Sequence, residues 1–233
     1  MGKKSSIGVF ITSHGFGHAT RTCAVLNEIY REQPSDFVIF STIPHWFFSQ
    51  NLNCANFELV SIKTDIGLIQ KNPFTHDLDQ TFLELQDFLS FNDSNFNKAL
   101  ELSKDKKFEL ILCDISPLGL EVASRLGIPS VLLENFTWDW IYAEYLKIHS
   151  GWADIIARIR EVSEKASLHI QAKPFCSGKK DSLKVPPISR SLVKDPLSIK
   201  KSLECDPNSR IILLTTGGIT TQLDLTHKLK SHP

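Results

Sequence analysis

The sequence has no excess of charge of either sign and lacks the marks of a membrane or secreted protein. Its 233 residues include 26 Lys and Arg against 26 Asp and Glu, so no general affinity for nucleic acid is expected. No apolar run approaches the length that crosses a bilayer. The apolar part of the opening stretch MGKKSSIGVFITSHG is too short for a secretory signal. These absences predict a cytoplasmic protein.

Cysteine is scarce, and two common nucleotide-binding patterns are missing. The five cysteines include no pair with the spacing of metal ligands, which predicts a reduced protein without a metal site. Gly-x-Gly-x-x-Gly is absent because position 20 is Thr, and the Walker pattern is absent as well. We therefore expect no metal and no dinucleotide cofactor.

Apolar runs of strand length alternate with helical patterns between residues 6 and 172. Such alternation is typical of βαβ units, which form a parallel sheet with helices on both faces. The sequence predicts an α/β fold, a doubly wound, Rossmann-like domain over residues 1–175. Residues 63–81 show no periodicity and are predicted to form a long loop.

The remaining residues differ in character. Residues 176–204 are rich in Ser, Lys and Pro and are predicted to be a linker, with a helix possible over 196–204. RIILLTTGGI, residues 210–219, has the pattern of a buried strand that enters a Gly-Gly turn. Residues 205–233 are therefore predicted to begin a second Rossmann-like domain that is truncated. We expect the chain alone to be incomplete or inactive.

The stretch ITSHGFGHATR, residues 11–21, places two histidines and two glycines between a predicted strand and a predicted helix. Ligands of parallel sheets bind beyond the carboxyl ends of the strands. Gly15 and Gly17 permit close approach of the backbone, and the helix start offers free N–H groups to a phosphate. A neutral imidazole at His18 can accept a proton from a hydroxyl. The alternative is that His14 and His18 merely cap the turn.

Two further strand ends carry polar side chains. In CDISPLG, residues 113–119, Asp114 ends a strand, while Ser116 and Pro117 suit the start of a helix. LLENFTWDW, residues 132–140, combines two tryptophans with acid and amide groups. A sugar ring can stack on indole while Asp and Asn bind its hydroxyls. The alternative is a hydrophobic plug beneath the loop.

STIPHWFF, residues 41–48, is another predicted strand end and carries His45 and three aromatic residues. Core packing is the favoured interpretation of these aromatics. Peripheral contact with a membrane surface is the alternative.

Considered together, SHGFGHATR, CDISPLGLEVASRLGIPSVLLENFTWDW and TTGGI resemble glycosyltransferases of the GT-B fold. The most similar group is that of the N-acetylglucosaminyltransferase of peptidoglycan lipid-intermediate synthesis, glycosyltransferase family 28. GHATR also resembles an N-terminal domain of some plant sugar kinases. The similarity extends over residues 6–175 and, more faintly, over 205–220.

This resemblance implies two Rossmann-like domains that face each other across a cleft and need no metal ion. The first binds a glycosyl acceptor and the second binds a nucleotide sugar, usually UDP-linked. His18 matches the histidine that acts as the base or contacts the acceptor. Gly217 and Gly218 match the turn that approaches the donor phosphates. The acceptor side is then expected to use His14, Gly15, Gly17, Asp114, Asn135, Thr137, Trp138 and Asp139, with Trp140 as a further wall.

The chain departs from the family pattern in two respects. His14 and Phe16 occupy loop positions where the family has more glycine, and the second domain ends after one strand. Three alternatives therefore stand beside hexosyl or N-acetylhexosaminyl transfer. They are a non-catalytic sugar- or nucleotide-binding module, one half of a split enzyme completed by a separate donor subunit, and a sugar-nucleotide epimerase.

Overall fold

The computed structural model describes residues 5–54, 57–72, 74–192 and 194–213. The strands are β1 (Ser5–Ile11), β2 (Ser35–Phe40), β3 (Phe57–Val60), β4 (Gln70–Asn72), β5 (Thr75–His76), β6 (Leu110–Asp114), β7 (Ser130–Glu134), β8 (Leu168–Ala172) and β9 (Leu183–Val185). The helices are α1 (Phe16–Glu32), α2 (His45–Asn51), α3 (Leu78–Phe88), α4 (Ser94–Lys106), α5 (Pro117–Leu126), α6 (Trp138–Tyr142), α7 (Trp152–Glu164) and α8 (Pro196–Ser202), with a 3₁₀ helix at Ala143–Lys147.

Seven strands form one sheet in the order β3-β2-β1-β6-β7-β8-β9, and every neighbouring pair is parallel. The order reverses between β1 and β6, as it does in doubly wound folds. The predicted α/β, Rossmann-like fold is therefore confirmed. The carboxyl ends of β1 and β6 lie side by side at the reversal, which is where such folds bind ligands.

The sheet is buried on both faces because alternate strand residues enter two different cores. Val9 and Ile11 of β1 pack with Leu26 of α1 in one core. Phe10, between them, packs in the other core with residues of α5 and α7 such as Val122. The continuous apolar character of β1 follows from this two-sided burial.

Helix α5 begins and ends where its sequence predicts. The Ser116 hydroxyl accepts a hydrogen bond from the backbone N–H of Gly119, and Pro117 occupies the first turn. Gly127 ends the helix with a φ of 64°. Glu121, which is 5% exposed, is bonded to Lys165 just beyond the end of α7. This bond joins α5 to the C-terminal end of α7.

Two predicted loops contain regular structure. Residues 63–81 include the antiparallel β4–β5 hairpin and the first turn of α3, so the prediction of one long loop is wrong there. Asp77 caps α3 through a hydrogen bond from the N–H of Gln80. This capping residue marks the start of the helix even though the sequence before it has no helical periodicity. STIPHWFF forms α2, in which Phe47 and Phe48 are buried and Trp46 is half exposed.

The segment predicted as a linker, residues 176–204, contains β9 and α8. β9 pairs with β8 and extends the sheet beyond residue 175, while α8 fits the helix predicted over 196–204. Residues 210–213 of the predicted strand RIILLTTGGI have no regular structure. The rest of that strand, with Gly217 and Gly218, lies outside the described residues. Among the helices of the described part of the chain, none is both long and apolar enough to cross a membrane.

Candidate functional site

The first candidate site lies where β1, β6 and β7 end beside the N-terminus of α1. The Asp114 side chain at the end of β6 has no exposed surface, and the side chain of His18 is 14% exposed. His18 Nδ1 lies 2.8 Å from Asp114 Oδ1. The two residues are 96 positions apart in sequence and are brought together because α1 packs in the same core as Leu112 of β6.

Asp114 is held by further donors from α1. Arg21 donates from Nε to Oδ2 at 2.9 Å and from Nη2 to Oδ1 at 2.5 Å. The Thr22 hydroxyl donates to Oδ2 at 2.9 Å. Arg21 also donates from Nη1 to Asn135 Oδ1 at 2.9 Å, and thereby joins the end of β6 to the end of β7. The carboxylate has little freedom to move, since both of its oxygens are bonded.

The bonding of Asp114 determines which nitrogen of His18 is available for chemistry. A carboxylate only accepts hydrogen bonds, so Nδ1 of His18 carries the proton that faces Asp114. Nε2 of the neutral ring then carries a lone pair that can accept a proton. A carboxylate behind the ring also stabilises the imidazolium that forms when Nε2 takes a proton. The pair therefore has the arrangement of a general base.

The charge state of Asp114 follows from opposing effects. Burial by itself raises the pKa of this carboxyl group, because a low dielectric disfavours charge. The hydrogen bond from His18 and the charge and hydrogen bonds of Arg21 outweigh burial, so the net pKa lies below its ordinary value. Asp114 is therefore ionised at neutral pH.

His14 belongs to a second group beside the first. Its Nε2 lies 3.8 Å from Oδ1 of the buried Asp65, and its ring meets Trp138 edge-on with centroids 5.2 Å apart. Trp138 donates from Nε1 to Asp65 Oδ2 at 2.8 Å and is only 7% exposed. Tyr142 donates from its hydroxyl to the carbonyl of Gly67 at 2.6 Å. Trp138 thus packs and holds the 64–68 loop, as in the plug alternative, and little of its ring is open to a ligand.

Replacing Gly67 by alanine is expected to displace His14 from this group. The new Cβ would lie 1.9 Å from His14 Nε2, and the φ of +62° is unfavourable for alanine. We expect the free energy of unfolding to fall by about 1–3 kcal/mol. Guanidinium denaturation measures this change.

Gly17→Ala is the matched control for Gly67→Ala, because no atom lies within 4 Å of its added Cβ. Gly17 is in the first turn of α1, so its stability should stay level or rise by up to about 1 kcal/mol. A Gly67→Ala variant as stable as the wild type would contradict the packing assigned to His14.

The glycines of the loop have different roles. Gly15 has φ 77° and ψ 174°, a conformation that is essentially restricted to glycine. Gly17 lies in the first turn of α1, and the space beside its Cα is open, since no atom lies within 4 Å of a Cβ added there. The first turn of α1 has no acidic side chain, and no side chain caps its N-terminus. Backbone N–H groups are therefore free there to bind an anion or a polar acceptor group.

Three of the predicted residues lie away from the His18 group. Thr137, Asp139 and Trp140 line a cavity that the other predicted site residues do not line. Asp139 is 7% exposed and faces Arg160 Nε at 3.4 Å. Trp140 lines the same cavity and is 46% exposed. The structure thus brings His18, Asp114 and Asn135 together, with His14 close by, and separates Thr137 and Asp139 from them.

Sequence reasoning missed Arg21, Thr22, Asp65 and Phe136. A usable signal existed for the first two, because positions i, i+3 and i+4 from His18 share one face of a helix. Phe136 meets the His18 ring edge-on at 5.9 Å, and no local pattern indicates this contact. Among residues 5–54, 57–72, 74–192 and 194–213, no group of three or more His, Cys, Asp or Glu side chains could hold a metal ion.

Comparisons with solved structures support the fold. No protein-family model matches the chain. L-arabinokinase from Arabidopsis thaliana is 25% identical over 214 residues, which are 90% of this chain and 20% of that protein. A structure of UDP-glucose:anthocyanidin 3-O-glucosyltransferase in complex with UDP matches with a TM-score of 0.54 and 15% identity, over 87% of this chain and 58% of that one. Phytolacca americana UGT2, complexed with UDP-2-fluoro-glucose and pterostilbene, matches with a TM-score of 0.51 and 13% identity, over 86% and 57%.

The chain therefore has the α/β fold of the N-terminal domain of GT-B glycosyltransferases, as its motifs predict. It spans little more than half the length of the two matched structures and one fifth of the kinase.

Proposed function

We propose that this chain carries the acceptor-binding side of a glycosyltransferase that moves a hexosyl or N-acetylhexosaminyl group from a nucleotide sugar to a hydroxyl acceptor. The observation that carries this proposal is the His18–Asp114 pair, with Nδ1 and Oδ1 2.8 Å apart. The fold supports it, and two structures with this fold are described as holding UDP or a UDP-sugar. A UDP-linked donor is accordingly part of the proposal.

The reaction needs one proton transfer and one displacement. His18 Nε2 takes the proton of the acceptor hydroxyl as the acceptor oxygen attacks the anomeric carbon of the donor. The bond from that carbon to the diphosphate oxygen breaks, and the nucleoside diphosphate leaves with its electron pair. Asp114 stabilises the imidazolium formed at His18. No metal or cofactor enters this proposal.

Arg21 has a positioning role in this scheme. Its side chain is 11% exposed and bonds both Asp114 and Asn135. It keeps the carboxylate behind the His18 ring and the Asn135 amide at the neighbouring strand end. The backbone N–H groups of α1, left open by Gly15 and Gly17, face the region where a polar acceptor group would bind.

Other parts of the proposal rest on the family resemblance. Gly217 and Gly218 are proposed to contact the donor phosphates, either in this chain's own second domain or beside a separate donor subunit. Phe16 and Trp46, which are 43% and 52% exposed and meet edge-on at 5.7 Å, offer an apolar surface next to the site. Peripheral membrane contact through such a surface is part of the same proposal, as is a cytoplasmic location.

The test uses the protein purified from its own cells, so that any residues beyond this sequence are present, and its intact mass is measured first. UDP-glucose, UDP-galactose and UDP-N-acetylglucosamine are each supplied with a panel of hydroxyl acceptors. We expect one donor to add a sugar unit to an acceptor, as detected by mass spectrometry. If no combination of donor and acceptor gives either sugar transfer or donor hydrolysis, the proposal that the protein is an enzyme is contradicted.

A non-catalytic sugar- or nucleotide-binding module is the second candidate. The observation that favours it is the similarity to a protein named as a kinase, over a segment that is one fifth of that protein. Such a module would bind its sugar or nucleotide without transferring it. Its affinity for that ligand should be the same in the wild type and in a variant that lacks the His18 imidazole. The donor panel separates the two candidates, because only the enzyme releases a nucleoside diphosphate.

A further inference from the structure

A cavity of about 670 Å³ lies on the opposite face of the sheet from the side chain of Asp114. Asp114 pairs with Leu133 in the parallel register, so their side chains share one face. Glu134, the next residue of β7, therefore points to the other face. It meets Gln171, its register partner on β8, through a hydrogen bond of 2.6 Å.

The cavity is formed by β8, α7, the start of α6 and the loop that leads to β9. The side chains that matter for the argument are those of Glu134, Asp139, Trp140, Arg160, His169 and Lys179. None of them belongs to the His18–Asp114 group. Phe136 lies between the two sites, because it lines the cavity and its ring meets that of His18 edge-on.

Two carboxylates that line the cavity each have an oxygen without a hydrogen-bond partner among the described residues. Glu134 is 2% exposed. Its Oε1 accepts from His169 Nε2 at 2.8 Å and from Gln171, while its Oε2 has no partner. Asp139 bonds Arg160 weakly through Oδ2, and its Oδ1 has no partner. Buried acceptors of this kind are costly unless a donor reaches them, so both favour a ligand rich in hydroxyl groups.

The remaining wall and the charge balance narrow the ligand class. Trp140 presents an indole that is 46% exposed, and an indole combines an apolar face with a polar edge. The apolar face of a sugar ring can stack on the apolar face of this indole. The charged residues that line the cavity nearly balance. The acidic ones are Glu134, Asp139, Glu164 and Asp181, and the basic ones are Arg160, Lys179 and Lys180. This balance disfavours a strongly charged ligand.

We propose that this cavity binds a saccharide of one or two sugar units. Its volume lies within the range of roughly 300–1,000 Å³ that is usual for small-ligand sites. The sugar stacks on Trp140, and its hydroxyls donate to the free oxygens of Glu134 and Asp139. The cavity shares none of its polar residues with the proposed transfer site, and this proposal does not depend on that site.

Isothermal titration of the whole chain tests this proposal with D-glucose, N-acetyl-D-glucosamine and maltose, and with inorganic phosphate as the anion control. At least one sugar is expected to bind saturably. Trp140→Ala and Glu134→Gln are each expected to weaken that binding by about tenfold or more. Trp140 is half exposed, so its variant should fold, and thermal melting of both variants verifies this.

His18→Ala is the matched control, since it removes the proposed base and none of the residues that line the cavity. Its saccharide affinity should equal that of the wild type even if transfer is lost. The proposal is overturned if none of the three sugars binds, if phosphate alone binds, or if both cavity variants bind as tightly as the wild type. Loss of sugar binding in His18→Ala would also overturn it, because the two sites would then be one.

Discussion

Replacing His18 by alanine is expected to lower the rate of glycosyl transfer by about 10²–10⁴-fold. The reason is that the acceptor hydroxyl loses the base proposed to take its proton, while the fold keeps its packing. The side chain is 14% exposed and at the rim of the core, so its removal leaves no large cavity. Initial rates at saturating donor measure the effect, with the donor and acceptor pair found in the transfer panel.

Two comparisons make the His18 result specific. His76→Ala, at an exposed position of the β4–β5 hairpin, should keep the wild-type rate. The double variant His18→Ala/Asp114→Asn should be no slower than His18→Ala, because the two residues act as a unit. A His18→Ala enzyme that transfers at the wild-type rate would remove the base assignment. A double variant that is folded by circular dichroism but slower than His18→Ala would show that Asp114 acts independently of His18.

The fold was predictable because its signals are local and repeated. The central strands β1, β6 and β7 are largely apolar runs, and α5 carries its own start and stop residues, Ser116 and Gly127. The weaker predictions concerned segments whose structure depends on a distant partner. β9 is three residues long and exists through its pairing with β8, which no local pattern encodes.

The site was predictable in part for the same reason. Asp114 ends β6, Asn135 follows β7 and His18 lies in the helix after β1. The carboxyl ends of parallel strands meet at one edge of the sheet. Which face of the sheet a residue occupies depends on register, and a shift of one residue reverses it. Thr137 and Asp139 were grouped with Asp114 because they follow β7 in sequence, whereas the structure places them at the start of α6, beside the cavity lined by Glu134. Arg21 was missed because its partners are 93 and 114 positions away.

Replacing Asp114 by alanine is expected to cost about 3–5 kcal/mol of unfolding free energy at neutral pH. Arg21 would lose its carboxylate partner while its side chain stays 11% exposed, and Thr22 and His18 would lose their shared acceptor. Asp114→Asn should also destabilise, since an amide N–H₂ would face the donors of Arg21. Urea denaturation measures both variants, and Asp105→Asn, at an exposed position of α4, should stay within about 0.5 kcal/mol of the wild type.

The pH dependence distinguishes a lost charge from lost packing. The folded pKa of Asp114 lies below its ordinary value, because His18 and Arg21 outweigh the opposing effect of burial. Its stabilising contribution is therefore complete above the unfolded pKa of about 3.9 and is lost as the pH falls through the lower folded pKa. The stability gap between the wild type and Asp114→Asn should shrink as the pH falls below about 4. A gap that stays constant under acid would mean that Asp114 stabilises the fold by packing alone, and the ionised partner that the His18 base requires would then be absent.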